Sequence, residues 1–282
     1  MRDLRIFFFL VLVLFFGTDL SAQYRYDYFR VGVSAGTTHY LGDLDDDFTF
    51  KFTRPGVGVT GSYRFNPFMT ARLGFFRGWI SATDANSTNE VRRRRNLSFR
   101  SPITEFSATV SFDFLPSDRS YIYRPRYTPY VFGGVGVFTF RPQAELGGEL
   151  IDLQPLGTEG QFLIDPNDTN PAPYALTQLA IPMGAGVRFA IAKRWDLEIE
   201  TGFRKIFTDY LDDVSGTYPN LDELRAQNPV AALLSDRIDL TQFPDGAAVT
   251  NGIRGDNTQQ DWYIYTNVRI NFIIDWVKCP SF

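Results

Sequence analysis

Between Trp195 and Arg204 the chain alternates without a break. Trp195, Leu197, Ile199, Thr201 and Phe203 fall on one side of an extended strand, and Asp196, Glu198, Glu200, Gly202 and Arg204 on the other. A period of two marks a strand lying between two different surroundings. Here the polar side carries four formal charges. A soluble sandwich turns such charges to bulk water and its apolar side to a core. An outer-membrane barrel does the reverse, with lipid outside and a polar lumen within. The rest of the chain decides between them.

Seven more segments can be written with an apolar residue at every second position. They are Phe29–Thr37, Gly56–Phe65, Met69–Ile80, Glu105–Phe114, Pro129–Phe140, Leu179–Ile191 and Trp262–Ile274. The fifth in chain order, Pro129–Phe140, is apolar on both sides and leaves its phase open. Long links at 40–54, 81–102, 141–177 and 208–260 alternate with tight ones at 66–68 and 192–194, and with an intermediate one at 115–128. Short periplasmic turns and long outer loops are the layout of a membrane barrel. The expectation is an all-β fold: an eight-stranded antiparallel up-and-down transmembrane β-barrel with long extracellular loops. Tyr28, Phe29, Phe65, Phe68, Trp195, Trp262 and Trp276 stand at strand ends, where aromatic rings suit the headgroup level.

Residues 1–22 read as a signal peptide, with Arg2 and Arg5 before an apolar run from Ile6 to Phe16 and Ser21-Ala22 as a cleavage site. Residues 23–282 then form the barrel domain of an outer-membrane protein. A net charge of -4 argues against a nucleic-acid partner. The single Cys279 excludes an internal disulfide and a cysteine-based zinc site. Beyond the first residues, no apolar run is long enough for a membrane helix.

Collecting the inward positions places Arg30, Arg64, Arg72, Arg188, Arg204 and Arg269 in one lumen with Glu105, Asp113, Asp196, Glu198 and Glu200. An eight-stranded barrel is only wide enough inside for side chains to fill it. Near-balanced charges there predict mutual pairing and a closed plug; a proton or ion path is the alternative.

The loops hold acidic runs: Asp43, Asp45, Asp46 and Asp47, and then Asp209, Asp212 and Asp213 beside Tyr210. Calcium would accept such oxygens, but neither run has the EF-hand spacing, and solvated loops are the expectation. Arg92 to Arg95 form a basic run suited to lipopolysaccharide phosphates or simply to water. The lone His39 and Ser34 lie on the first strand with no acid partner at a recognisable spacing, and no GxSxG occurs. No enzyme, cofactor or resident metal is expected.

Four stretches carry a family resemblance: HYLGDL (39–44), TPYVFGGVGVFTFRP (128–142), LQPLGTEGQ (153–161) and RKIFTDYLDDVSGTY (204–218). Together they resemble the PorG-like outer-membrane barrels of Bacteroidota. The resemblance implies a component of the type IX secretion system, linked to gliding in some bacteria. It implies that the barrel tethers a periplasmic PorK/PorN-like ring to the outer membrane. The periplasmic surface would then carry the partner contact. Its widest connection offers Asp118, Arg119, Tyr121, Tyr123, Arg124 and Arg126, with the tail Val277–Phe282 as a second candidate. Tyr and Arg are enriched in binding hot spots. The alternative is a transport or surface-binding barrel whose outer loops, including Asp209, Tyr210, Asp212 and Asp213, hold a ligand or partner.

Overall fold

The structure is a computed structural model, and it describes residues 27–45, 52–117, 120–164, 170–243, 248 and 250–274. The expected signal peptide, Asp46, Asp47, Asp118, Arg119, Trp276, Cys279 and the tail Val277–Phe282 lie outside the described residues.

Ten strands form one sheet. They are β1 Tyr28–Leu41, β2 Arg54–Arg64, β3 Met69–Thr83, β4 Ser98–Asp113, β5 Tyr127–Phe140, β6 Gln143–Leu146, β7 Glu149–Asp152, β8 Thr177–Ala192, β9 Trp195–Ile206 and β10 Trp262–Ile274. Eight of them close on themselves: β1 pairs with both β2 and β10, and the β3–β4 ladder joins the ends of the sheet. β6 and β7 are a short hairpin hanging on β4 at the outer rim.

Following direct partners around the wall gives the stagger. Phe29 faces Tyr63, Ala71, Val110, Gly133, Met183, Phe203 and Ile264 in turn, and Ile264 faces His39. The circuit therefore returns to β1 ten residues above its start, which tilts the strands by roughly 40°. Closure leaves no edge among the eight wall strands, so each finds its backbone partners without water.

The residues facing outwards explain why the sheet closes this way round. Leu73, Phe106, Val135 and Leu179 are all more than 60% exposed on the outside. On β4 and the residue just past its end, the outward row Phe114, Phe112, Val110, Ala108 and Phe106 runs uninterrupted before Thr104. Five alternate positions on a tilted strand cover about 20–25 Å, the height of an outer-membrane apolar band. Phe29 stacks on Tyr63 at 4.5 Å and Trp195 packs on Phe272 at 5.0 Å near the lower edge. Among the described residues, no helix is long and apolar enough to cross a membrane. The chain is a transmembrane β-barrel of the outer membrane, with its short turns on the periplasmic side.

Several expectations need correction. The link expected at 81–102 is shorter, because β3 runs to Thr83 and β4 starts at Ser98. The link at 208–260 contains two short helices, α2 Leu221–Gln227 and α3 Pro229–Ser235, after α1 Glu90–Arg95 in the 81–102 region. Asn89, Asn220 and Asn228 cap them by accepting from backbone N–H groups. Tyr28 is not an interfacial ring: it faces the lumen and packs edge-on against Tyr121 at 6.0 Å. Ile264 faces outwards as expected but is fully buried at the outer rim, opposite His39 and Phe203.

Candidate functional site: lumen plug and outer cap

All eleven charged residues expected in the lumen point inwards, and each is within ion-pair distance of another. Glu198 is the hub. It meets Arg188 at 2.7 Å, Arg269 at 2.7 Å, Arg30 at 3.4 Å and Arg72 at 3.7 Å. Glu200 holds Arg72 at 2.6 Å and Arg269 at 3.1 Å, and accepts the Tyr130 hydroxyl at 2.8 Å. Asp113 joins Arg64 at 2.8 Å to Arg188 at 2.9 Å. Higher up, Glu105 accepts from Arg204 at 3.2 Å and from Tyr263 at 2.6 Å. Arg30, Arg72, Arg188 and Arg269 each reach two acids, whereas Arg64 pairs with Asp113 alone and Arg204 with Glu105 alone. Arg269 and Glu198 are direct partners across β9 and β10.

Arg124 closes the floor. Although expected as a partner-binding residue, it turns into the barrel mouth and donates to Asp196 at 2.8 Å. It also donates to the carbonyls of Tyr121, Ala192, Lys193 and Trp195. Tyr121 is likewise buried, packed with Tyr28 and Ile273. Tyr123 and Arg126 stay exposed, Tyr123 at 72%.

The fifth segment has its phase settled by ring size. Tyr130, Phe132, Phe138 and Phe140 face inwards, and Val131, Val135 and Val137 face lipid. Phe138 packs on Tyr263 at 5.5 Å, and Phe76 on Tyr265 at 4.3 Å. Gly134 is required beside them, because a Cβ there would meet the Ala108 carbonyl oxygen at 2.1 Å. These rings begin an apolar core that continues through Ile80, Phe99, Ile103, Leu211 and Leu234 above the ion pairs. Between Arg72, Glu105, Glu200, Arg204 and Arg269 lies a polar pocket of about 30 Å³. That is the volume of about one water molecule. Ion pairs and stacked rings fill the lumen around it.

Above it, three of the family-like stretches meet. Tyr40 of HYLGDL donates to Asp212 at 2.6 Å and to Asp261 at 2.9 Å. Thr158 and Glu159 of LQPLGTEGQ lock the same loop: Thr158 donates to Asp213, while Glu159 accepts from the Ser215 N–H at 2.9 Å and from Arg254 at 2.9 Å. Tyr174 donates to Asp213 at 2.6 Å and stacks on Tyr210 at 4.6 Å. The acidic runs are thus not solvated as expected; Asp45, Asp212 and Asp213 are buried. Within the basic run, Arg95 is held by Asp84 at 2.7 Å and by the Asp43 carbonyl, and Arg94 lies over the Phe243 ring at 5.5 Å.

Burial dominates the electrostatics of this cap. It pushes the Asp209 carboxyl up to about 7 and that of Asp213 up to about 6, the latter against the opposing pull of Arg254. Asp212 and Asp261 are raised well above the usual range, first by burial and then by neighbouring carboxylates. Among the described residues, no three His, Cys, Asp or Glu side chains are placed to hold a metal ion. Ser34 and His39 fall on opposite faces of β1: Ser34 accepts from Tyr265 at 3.2 Å in the lumen, whereas His39 faces out beside Thr53.

The profile of a protein family described as a domain of unknown function, DUF6089, matches residues 5–149, just over half of the chain. The chain belongs to this family. The matched part of this DUF6089 protein holds β1 to β6, including HYLGDL and the aromatic fifth segment, and stops before LQPLGTEGQ. No curated protein matches it. Among solved structures it is similar to Neisserial surface protein A, at 11% identity and a TM-score of 0.41, covering 86% of this chain and 96% of that one. It is also similar to Ail, the attachment invasion locus protein of Yersinia pestis, at 7% identity and a TM-score of 0.41, covering 89% and 100%. A third is OprG from Pseudomonas aeruginosa, at 10% identity and a TM-score of 0.37, covering 90% and 99%.

Proposed function

We propose that this barrel is a non-enzymatic anchor that fixes a periplasmic assembly to the outer membrane. Following the resemblance to PorG-like proteins, that assembly is the PorK/PorN-like ring of type IX secretion, so the barrel supports protein secretion and, in some bacteria, gliding. One observation carries the reading: the periplasmic turn Tyr121–Tyr123 is braced from within. Arg124 ties the floor together with five donated hydrogen bonds, and Tyr121 is seated in the lumen mouth. Ile122 and Tyr123, between these fixed points, are 50% and 72% exposed. A preorganised apolar and aromatic knob loses little entropy on binding, which suits a permanent docking contact. Arg126, exposed beside it, would add a charge to its rim.

The test is recovery of periplasmic ring proteins with the tagged full chain from mild detergent. Tyr123→Ala combined with Arg126→Glu should lower recovery about tenfold, as loss of one hot spot does, while barrel folding is unchanged. Undiminished recovery would reject the knob as the contact.

A second reading is surface binding by the cap, with Asp209, Tyr210, Asp212 and Asp213 shaping the mouth. It is favoured by the apolar side chains Ile164, Leu233, Leu240 and Ile253, which are 90%, 58%, 52% and 84% exposed outside the band. Deleting 236–253 should leave ring recovery intact under the anchor reading and abolish surface capture under this one.

A further inference from the structure

The lumen does not balance its own charge. To the six arginines and five acids of the wall strands, the structure adds Arg124 from the floor. Among the described residues, seven guanidiniums therefore share five carboxylates, and every one of these side chains is more than nine-tenths buried. Arginine keeps its proton in proteins, so burial cannot neutralise it. A buried charge without a counter-charge is among the costliest arrangements a fold can hold. At the floor, the carbonyls of Tyr121, Ala192, Lys193 and Trp195 take up what Arg124 adds. Higher up, the surplus meets a pocket.

That pocket is the polar one of about 30 Å³, where Arg72, Arg204 and Arg269 stand against only Glu105 and Glu200. Glu200 is fully engaged, since its two oxygens already accept from Arg72, Arg269 and Tyr130. Glu105 receives Arg204 and Tyr263 on one oxygen. Donors are left over. Arg72 Nη2 and Arg269 Nε are buried without a hydrogen-bond acceptor among the described residues. Hydroxyls add to them: Thr60, Ser107 and Thr109 line the pocket. Ser34 lines it too and accepts from Tyr265 at 3.2 Å, which leaves its own O–H to donate. A water molecule would suit Glu105 Oε1, which also lacks a partner, but it would leave the surplus charge standing. A small anion answers both the spare donors and the surplus.

We propose that this pocket is a binding site for a buried monatomic anion, a halide of the size of chloride or bromide. Arg72, Arg204 and Arg269 supply its counter-charge, and Thr60, Ser107 and Thr109 supply neutral donors. Room for about one water molecule admits such an ion and excludes sulfate, phosphate and carboxylates. The Phe76 and Tyr265 rings, packed at 4.3 Å, close over the pocket, and the Glu198 ion pairs lie below it. The ion therefore enters as the barrel folds and leaves slowly afterwards. The proposal concerns the lumen alone and is independent of the periplasmic anchor reading.

The test refolds the full chain from urea into detergent micelles in sodium bromide, with sodium sulfate at equal ionic strength as the control. After exhaustive exchange into sulfate, retained bromide is counted by mass spectrometry of the element and located in crystals by its anomalous scattering. Bromide should remain in stoichiometric amount, with its anomalous peak between Arg72, Arg204 and Arg269. Because only the folded chain has the site, the urea midpoint of refolding should also rise with bromide concentration. Ser107→Asp places a fixed carboxylate in the pocket and should lower retained bromide at least about tenfold. Glu105→Gln removes a wall anion and should slow the loss of bromide. An ordered water only, seen as no retained bromide or as an anomalous peak elsewhere, overturns the proposal, and this comparison needs no variant to fold. Equal refolding midpoints in bromide and sulfate overturn it as well. A Ser107→Asp chain that shifts on heating in gel electrophoresis like the parent, yet keeps its bromide, does so too.

Discussion

The Tyr40 hydroxyl, at the top of the first strand, donates at 2.6 Å to Asp212, which lies 172 positions later in the longest outer loop. That hydroxyl also serves Asp261, so one donor links β1, the acidic loop and the approach to β10. The cap is closed through this point as much as through its apolar core.

Tyr40→Phe should therefore loosen the cap without touching the membrane wall. The two buried carboxylates would lose their one shared donor, at a cost of about 1–3 kcal/mol. Limited proteolysis of the detergent-solubilised chain should show faster cleavage between 208 and 260 with the barrel fragment intact. Identical cleavage rates in parent and variant would mean that the loop is held elsewhere.

Protons should tighten the same region. Asp213 and Asp209 are raised by burial to about 6 and about 7. A carboxyl raised in the folded state favours the protonated cap, so its contribution is complete below the ordinary value near 3.8 and is lost as pH rises through 6 to 7. Amide exchange in 208–216, corrected for intrinsic rates, should quicken between pH 5 and pH 8. In Asp213→Asn the step near 6 should disappear while the step near 7 remains. A pH-independent profile would sink the idea.

Glu198→Ala should be among the most damaging substitutions in the lumen. It strips Arg30, Arg72, Arg188 and Arg269 of a shared acid. Breaking a buried pair from one side costs about 3–5 kcal/mol. Urea-dependent refolding into detergent micelles gives the readout. Glu198→Leu combined with Arg188→Leu should cost less than Glu198→Ala alone, since no charge is then orphaned on β8; a larger cost for the double variant would contradict the shared-charge account.

Planar-bilayer recordings of the unaltered chain should show no steady unitary conductance, because stacked rings and buried ion pairs fill the lumen around a polar pocket of about 30 Å³. Reproducible open channels would show that the plug moves aside.

How much of this could be read in the residues themselves differs sharply along the barrel axis. Within the membrane, lipid on one side keeps the outward positions apolar, Thr201 and its cross-strand partner Thr266 apart, so the alternation from Trp195 to Phe203 and from Phe106 to Phe114 is visible by eye. The charged partners followed directly, since Arg30, Glu198 and Arg269 have nowhere else to point. Above the membrane the argument fails. There both faces of β3 and β4 are covered, so Ile80, Ser81 and Ala82 are all buried and show no period. The fifth segment defeated phase assignment for the same reason: its inward rings are as apolar as its outward valines. Arg124 was placed on the rim because it sits in a turn, and no periodic signal says that its side chain reaches back to Asp196. The burial of Asp212 depends on Tyr40 and Asp261, partners remote in sequence.

The ten-residue return from Phe29 to His39 also imposes a parity rule. A closed wall must come back to a residue on the side it left, so only even offsets are admissible. One residue inserted in the middle of any crossing strand would swap lipid-facing and lumen-facing side chains from there to the turn, pushing guanidiniums into hydrocarbon. The described ladders contain one register shift, between Ala190 and Ala192 beside the periplasmic turn, where an odd residue can be absorbed before the wall begins. Length changes in this family should therefore accumulate in the outer loops, and those within the wall should come in pairs or bring a bulge with them.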